Sequence, residues 1–87
     1  MWYVYILECS DGTLYTGITT DLDKRLKTHN NGKGAKYTKA RLPVVLKASF
    51  ESEDRSTASK EEYRIKQLTR KEKLKLIDEK NNWSSST

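Results

Sequence analysis

The sequence predicts a single α+β domain, in which a small antiparallel three-stranded sheet is flanked by helices. Three observations lead to this prediction: two strand-like runs separated by a turn open the chain, a third run follows in the middle, and helical patterns with capping signals stand between and after them. The order ββα, β, αα suits an antiparallel sheet covered by helices. The 87 residues leave room for one such domain, placed at residues 1–80, and the polar residues 81–87 are expected to form a disordered tail.

The first two strands are predicted to form a hairpin. Residues 2–7 and 14–18 are rich in aromatic and β-branched side chains, and Ser10-Asp11-Gly12 between them is a turn signal. A two-residue loop would mix polar and apolar side chains on one face, whereas a three-residue loop with a left-handed glycine separates them. We therefore expect the three-residue loop, which pairs Tyr5 with Gly17, where no side chain blocks access to the tyrosine.

The middle of the chain is predicted to contain a helix, a loop and a strand. Thr20-Asp21-Leu22-Asp23 resembles a capping box that opens the helix, and Asn30-Asn31-Gly32 ends it. Residues 33–42 form a basic loop with room for a short helical turn. The third strand, 44–50, is predicted from alternating apolar side chains, namely Val44, Leu46, Ala48 and Phe50.

Two helices are predicted to complete the domain. The first covers residues 55–68. A second capping box, Thr69-Arg70-Lys71-Glu72, begins the last helix, with Leu74 and Ile77 facing inward.

Charge is strongly segregated along the chain. The sequence holds 17 Lys and Arg residues against 12 Asp and Glu residues, for a net charge of +5, yet residues 24–50 contain no acidic side chain. Such a basic segment is typical of a surface for a polyanion such as nucleic acid. The alternative is a solvated face that keeps a small protein soluble. Clustering in one segment favours nucleic acid.

Composition excludes several classes of protein. A lone Cys9 excludes a disulfide scaffold, and a single histidine excludes a Cys/His zinc cage. No apolar stretch is long enough to span a membrane, and residues 1–10 lack the basic start of a signal peptide. We therefore expect a soluble cytoplasmic domain with no membrane partner.

Glu62 is the acidic side chain whose position is most informative. It follows Ala58 by four residues and precedes Ile65 by three, so it belongs to the inward stripe of its helix. A carboxylate there is costly unless it is paired. A salt bridge to Arg25 or Lys66, or a place at the edge of the stripe, would meet that need, and so would coordination of a divalent cation such as Mg²⁺. Spacing alone leaves these alternatives open.

Arg25 and His29 lie one turn apart on the first predicted helix and share a surface. Arg25 can bond two phosphate oxygens, and His29 titrates near neutral pH. A pair between Arg25 and Asp21, and a histidine that caps the helix C-terminus, are the structural alternatives.

Tyrosines form the third candidate group. The predicted register brings Tyr5 and Tyr15 together around Gly17, where their phenols can orient a water and accept its proton, or stack on a base. The proton-accepting role needs a lowered pKa, because a free tyrosine is a poor base at neutral pH. Tyr37 lies in a loop of phosphate-binding type, Gly34-Ala35-Lys36-Tyr37-Thr38. Half-buried packing is the alternative for a tyrosine-lined face.

In their order along the chain, these residues resemble the GIY-YIG nuclease superfamily. Val4-Tyr5-Ile6 stands at the first motif and Tyr15-Thr16-Gly17 at the second, with Val in place of the first glycine and Thr in place of the isoleucine. Arg25, His29 and Glu62 follow in the family's order. The chain is most similar to small stand-alone bacterial members, many of them uncharacterised, and it also resembles the N-terminal catalytic domain of the excision-repair incision subunit.

The resemblance implies a divalent-metal-dependent endonuclease that hydrolyses nucleic-acid phosphodiester bonds, on DNA rather than RNA, with DNA repair as one setting. Glu62 would hold one Mg²⁺ or Mn²⁺ ion, and Arg25 would bind the scissile phosphate. Tyr15, assisted by Tyr5 or His29, would position or deprotonate water.

The resemblance also implies a nucleic-acid contact surface and leaves open which structures or sequences are cut. The expected contact residues are Gly17, Lys24, Lys33, Lys36, Tyr37, Lys39 and Arg41. Larger relatives carry extra domains that select the substrate, so a protein partner could supply specificity here. The rival hypotheses are a non-catalytic nucleic-acid-binding module and a protein-interaction module.

Overall fold

A computed structural model of the chain describes residues 1–81 and confirms the predicted α+β class. Residues 82–87, most of the predicted tail, lie outside the described residues. The elements, in chain order, are β1 (Trp2–Glu8), β2 (Leu14–Thr19), α1 (Leu22–Asn30), α2 (Lys36–Lys39), β3 (Val45–Ser52), α3 (Arg55–Lys66) and α4 (Arg70–Asn81).

The sheet is antiparallel in the order β2-β1-β3, so β1 is central and β2 forms one edge. The predicted hairpin register is confirmed, since Tyr5 pairs with Gly17 and Glu8 with Leu14. Gly12 has the left-handed backbone that the turn requires, with φ of 83°. Because this register separates the side chains into two sets, each face of the sheet receives its own layer of helices.

Helices α3 and α4 cover one face of the sheet. Val4, Ile6 and Ala48 of the sheet pack there against Ala58 and Ile65 of α3 and against α4. Helices α1 and α2 cover the other face, where the buried cluster consists of Tyr5, Leu7, Cys9 and Val44, with Leu22 and Leu26 of α1 packed against it.

The alternation predicted for β3 is broken by a bulge. Ile6 pairs with Ala48 but Leu7 pairs with Leu46, so Lys47 is an extra residue on β3. Ala48 and Phe50 therefore pack on the α3–α4 side, whereas Val44 and Leu46 pack on the α1–α2 side. An uninterrupted alternation would have placed all four on one face, and that expectation is wrong.

Two of the helix signals are corrected by the structure. Helix α1 is capped by Asp21, whose carboxylate accepts from the Lys24 N–H at 3.1 Å, rather than by Thr20. An ionised cap at a helix N-terminus adds attraction to the helix dipole, which favours Asp21. In α4, Ile77 is buried as predicted, but Leu74 is 39% exposed and Leu76 packs in its place.

The capping box that begins α4 is confirmed. Thr69 N–H donates to the Glu72 carboxylate at 2.9 Å, and Glu72 N–H donates to the Thr69 hydroxyl at 3.2 Å.

Within residues 1–81, none of the helices is long and apolar enough to cross a membrane.

Candidate active site

The candidate site is centred on the Tyr5 hydroxyl, on the α1–α2 face of the sheet. Tyr5 is 2% exposed, and its hydroxyl lies 2.9 Å from His29 Nε2. Arg25 Nε donates to the same hydroxyl at 3.3 Å. Helix α1 presents Arg25 and His29 together because they are four residues apart on it. The structure thus brings three of the five predicted catalytic residues into one hydrogen-bonded group.

Gly17 makes room for this group in a way that the sequence did not indicate. A Cβ built on Gly17 would lie 2.5 Å from the Tyr5 hydroxyl oxygen, far inside van der Waals contact. The space left by the missing side chain is therefore filled by the Tyr5 ring itself. The predicted open access to the tyrosine is wrong at this point, because the tip of the Tyr5 ring itself occupies the space beside Gly17.

His29 is fully buried and bonded at both ring nitrogens. Its Nδ1 lies 2.8 Å from the hydroxyl oxygen of Thr38, on α2. Gly34 lies against the ring so closely that an added Cβ would be 2.3 Å from Nδ1. The loop before α2 and α2 itself therefore enclose the imidazole.

Burial controls the protonation of both residues. Burial, reinforced by the positive charge of Arg25, holds the pKa of His29 below its ordinary value of 6.5, so the ring is neutral at neutral pH. Burial raises the pKa of Tyr5 above 10.0, and this outweighs the opposite effect of Arg25. The lowered tyrosine pKa that we expected is thus wrong for Tyr5, because desolvation of the phenolate dominates.

Tyr15 lies beside the group and is only partly buried. Its ring meets His29 edge-on with centroids 5.4 Å apart and stacks on Tyr37 at 6.1 Å with 23° between planes. The guanidinium of Arg41 covers the Tyr37 ring at 4.0 Å and pairs with Asp11 at 3.1 Å. Tyr37 nevertheless remains 39% exposed and Arg41 remains partly exposed, so their contacts with nucleic acid stay a prediction.

Glu62 projects from α3, which packs across the edge strand β2 and the central strand β1. Its side chain is 24% exposed, and Lys66 Nζ lies 3.5 Å from Glu62 Oε2, which makes Lys66 rather than Arg25 its ionic partner. Its negative charge is among the smaller causes that raise the pKa of Tyr5, after burial, so it lies within electrostatic reach of the phenol.

The residues present fit a hard divalent cation with few protein ligands. Residues 1–81 contain no group of three His, Cys, Asp or Glu side chains that could enclose a metal. A single partly exposed carboxylate suits Mg²⁺, which keeps several waters and takes the remaining oxygens from a substrate phosphate. Glu62 meets this description.

Exposed lysines flank the group on its own face of the sheet. Lys24 extends from α1, Lys33 from the following loop, and Lys36 and Lys39 from α2, all exposed to solvent. A cleft of about 190 Å³ opens next to Arg25 and is lined by Thr19, Thr20, Asp21, Lys24, Arg25 and Thr28. These cations would favour a polyanion along α1 and α2.

Thr38 belongs to this site although the sequence does not single it out. It is completely buried and holds His29 from nine residues away. The sequence places it in the loop 34–38 but gives no local signal for the contact, because the pairing depends on how α2 folds back on α1.

Three comparisons with known proteins indicate the same family. The GIY-YIG catalytic domain model matches residues 1–75. A UPF0213 protein of Streptococcus agalactiae serotype V is 56% identical over 80 residues, which cover 92% of this chain and 91% of that protein.

Two solution NMR structures are similar as well. A UPF0213 protein from Bacillus halodurans matches at a TM-score of 0.60 and 45% identity, covering 100% of this chain and 95% of that one. A protein from E. faecalis matches at a TM-score of 0.56 and 42% identity, covering 85% and 80%. Motifs, fold and comparisons therefore lead to one conclusion: the chain belongs to the GIY-YIG family, a nuclease family, and its relatives are UPF0213 proteins.

Proposed function

We propose that this protein is a divalent-metal-dependent endonuclease that hydrolyses nucleic-acid phosphodiester bonds, with DNA as its substrate rather than RNA. The observation that supports this most is the hydrogen-bonded group of Arg25, Tyr5 and His29. It combines a fixed cation for a phosphate with a neutral imidazole that can accept a proton. Family membership supports the same reaction class.

Proton transfer in this proposal runs from water to His29 through Tyr5. Tyr15, which is partly exposed, orients the attacking water beside the buried pair. The water gives its proton to the Tyr5 oxygen while the Tyr5 hydroxyl proton moves to His29 Nε2. A raised tyrosine pKa is compatible with this exchange, because no free phenolate has to persist at neutral pH.

Charge stabilisation falls to Arg25 and Glu62. Arg25 uses one guanidinium nitrogen to hold Tyr5, and the others remain for the scissile phosphate. Glu62 would hold the Mg²⁺ or Mn²⁺ ion, which when bound would offset negative charge on the leaving oxygen. The exposed lysines Lys24, Lys33, Lys36 and Lys39 would bind neighbouring phosphates and give binding that weakens as salt rises.

The test compares two adjacent carboxylates on α3. Purified protein is incubated with single-stranded, duplex and branched DNA and with RNA, in Mg²⁺, in Mn²⁺ or with a chelator. We expect metal-dependent cutting of DNA that Glu62→Gln lowers by about 100-fold or more. Glu61→Gln is the matched control, since Glu61 bonds Arg64 on the surface, and it should cut like the wild type.

Other outcomes would favour the rival hypotheses. Salt-sensitive binding to nucleic acid without cutting on any substrate would indicate a binding module. Absence of binding to both DNA and RNA at low salt would favour the protein-interaction hypothesis. Cutting only in the presence of a second protein would show that a partner supplies the substrate.

A further inference from the structure

We propose that Thr38 is a positioning residue that holds His29 in the tautomer protonated at Nδ1, so that the lone pair of Nε2 faces the Tyr5 hydroxyl. The inference rests on the proposed function only for its catalytic consequence. The tautomer itself follows from counting donors and acceptors around the ring, and it can be measured without an activity assay.

The first count of hydrogen-bond donors and acceptors begins at Thr38. Its hydroxyl carries one proton and lies 3.0 Å from the carbonyl oxygen of Ala35, an atom that can only accept. In the structure this hydroxyl donates to Ala35 O. The same hydroxyl oxygen lies 2.8 Å from His29 Nδ1, so a hydrogen bond there needs its proton from the ring. With the hydroxyl in this orientation, His29 Nδ1 donates to Thr38.

A second count begins at Tyr5 and is independent of the first. A guanidinium nitrogen can only donate, so the Tyr5 oxygen accepts from Arg25 Nε. The Tyr5 hydroxyl proton is then free to go to His29 Nε2, at 2.9 Å, if that nitrogen carries none. In the opposite tautomer two donors would converge on one oxygen, and Tyr5's own proton would have no acceptor among the residues that the structure describes. Both counts give the same tautomer.

The backbone around Thr38 makes this arrangement rigid. Ala35 O also accepts the Lys39 N–H at 3.0 Å, in the single turn of α2. The residue that accepts the Thr38 proton is therefore itself held in place. Gly34 lies against the His29 ring from the same side and leaves no space for a side chain of its own. Thr38 and His29 are both 0% exposed, so water cannot substitute for the missing partner.

The consequence is that α2 acts on the reaction through His29. A ring with Nδ1 protonated and Nε2 free can take the Tyr5 proton and remain bonded at both nitrogens afterwards. Without the Thr38 hydroxyl, the ring can turn or change tautomer, and Nε2 loses its role as acceptor.

The experiment uses the fact that His29 is the single histidine of the chain. Long-range proton–nitrogen NMR on uniformly ¹⁵N-labelled full-length protein reports which ring nitrogen carries the proton. We expect Nδ1–H in the wild type and in Thr38→Ser, which keeps the hydroxyl. Thr38→Val, which has a similar shape but no hydroxyl, should lose that signature. Nδ1 unprotonated in the wild type at neutral pH would overturn the proposal.

Activity supplies the second measurement. Thr38→Val should lower kcat by about 10-fold or more with KM little changed, as expected when a catalytic histidine is no longer oriented, and Thr38→Ser should restore it. Thr57→Val, at an exposed threonine on α3, is the control and should leave kcat unchanged. Equal kcat in the Val and Ser variants would contradict the positioning role. If the wild type shows the Nδ1–H tautomer but cuts no substrate, the proposed function fails while the tautomer assignment stands.

Discussion

The two faces of the sheet bury different sets of side chains: one buries an apolar core, and the other buries an apolar cluster together with a hydrogen-bonded polar group. On the α3–α4 face, buried Val4, Ile6 and Ile65 form an apolar core. On the α1–α2 face, Tyr5 and His29 are buried as deeply, yet the Tyr5 hydroxyl, both His29 ring nitrogens and the Thr38 hydroxyl have hydrogen-bond partners. One central strand, β1, supplies both faces with alternate side chains.

This contrast explains how so short a chain can hold a polar buried site. Buried polar groups are tolerated when each one is hydrogen-bonded, but they add little net stability. The apolar side chains packed on both faces, Leu7 and Val44 beside the polar group as well as the α3–α4 core, must therefore provide most of the stabilisation that keeps the polar group in place. By this argument, truncation of buried apolar side chains on the α3–α4 face should act on stability. Changes to the polar group on the α1–α2 face, or to Glu62 of α3, should act on chemistry.

The largest expected effect is on stability, from Ile65→Ala. Ile65 is 1% exposed in the apolar core, and its truncation should lower the free energy of unfolding by about 2–5 kcal/mol. Urea denaturation followed by circular dichroism measures it. Leu74→Ala on α4 is the control, because Leu74 is 39% exposed and should cost about 0.5 kcal/mol or less. A larger loss from Leu74→Ala than from Ile65→Ala would show that the cores are assigned wrongly.

The next effect is on chemistry, from Arg25→Ala. Cutting should fall by about 100-fold or more, since charge in the transition state and the bond to Tyr5 both lose their donor. The fold, measured by the urea midpoint, should survive. Lys39→Ala, which removes an exposed cation of α2, should weaken binding uniformly and reduce its salt slope by about 1. An equal loss of cutting in both variants would contradict the assigned roles.

Local signals predicted some parts of the fold well and others poorly. The hairpin register was predictable because side chains alternate between the two faces of a strand, and one turn length around Gly12 separates polar from apolar side chains. The bulge at Lys47 has no comparable signal in the sequence. The sequence therefore does not predict that the apolar side chains of β3 change from one face of the sheet to the other at this point. The capping box at Thr69 predicted where α4 begins, but not how the helix rotates against the sheet, so Leu74 was assigned inward wrongly.

The candidate site likewise has features that the sequence predicts and features that it does not. Arg25 and His29 were predictable as neighbours because they share a helix, and Lys66 as a partner of Glu62 for the same reason. The burial of His29 under α2 depends on a tertiary contact with Thr38. The pKa of Tyr5 likewise follows from burial, which no local pattern reports. Sequence therefore indicates which side chains carry the chemistry more readily than their protonation.

The smallest expected effect is a pH dependence that belongs to the α1–α2 face. The pKa of His29 is lowered in the folded state by burial and then by Arg25, whereas in the unfolded chain it keeps the ordinary value of 6.5. Above that pH both states are neutral and stability is unaffected. As the pH falls through 6.5, the unfolded chain binds a proton that the folded chain does not, so the free energy of unfolding decreases.

Urea denaturation at several pH values between 8 and about 5, above the range where carboxylates titrate, measures this decrease. His29→Gln removes the titrating ring and should show a flatter profile over the same interval. Ile65→Ala should lower stability at every pH and leave the slope of the wild type, because its face holds no part of the histidine network. A His29 pKa at or above 6.5 by NMR, or identical slopes in the wild type and His29→Gln, would contradict the description of the α1–α2 face as a buried, neutral, proton-accepting site.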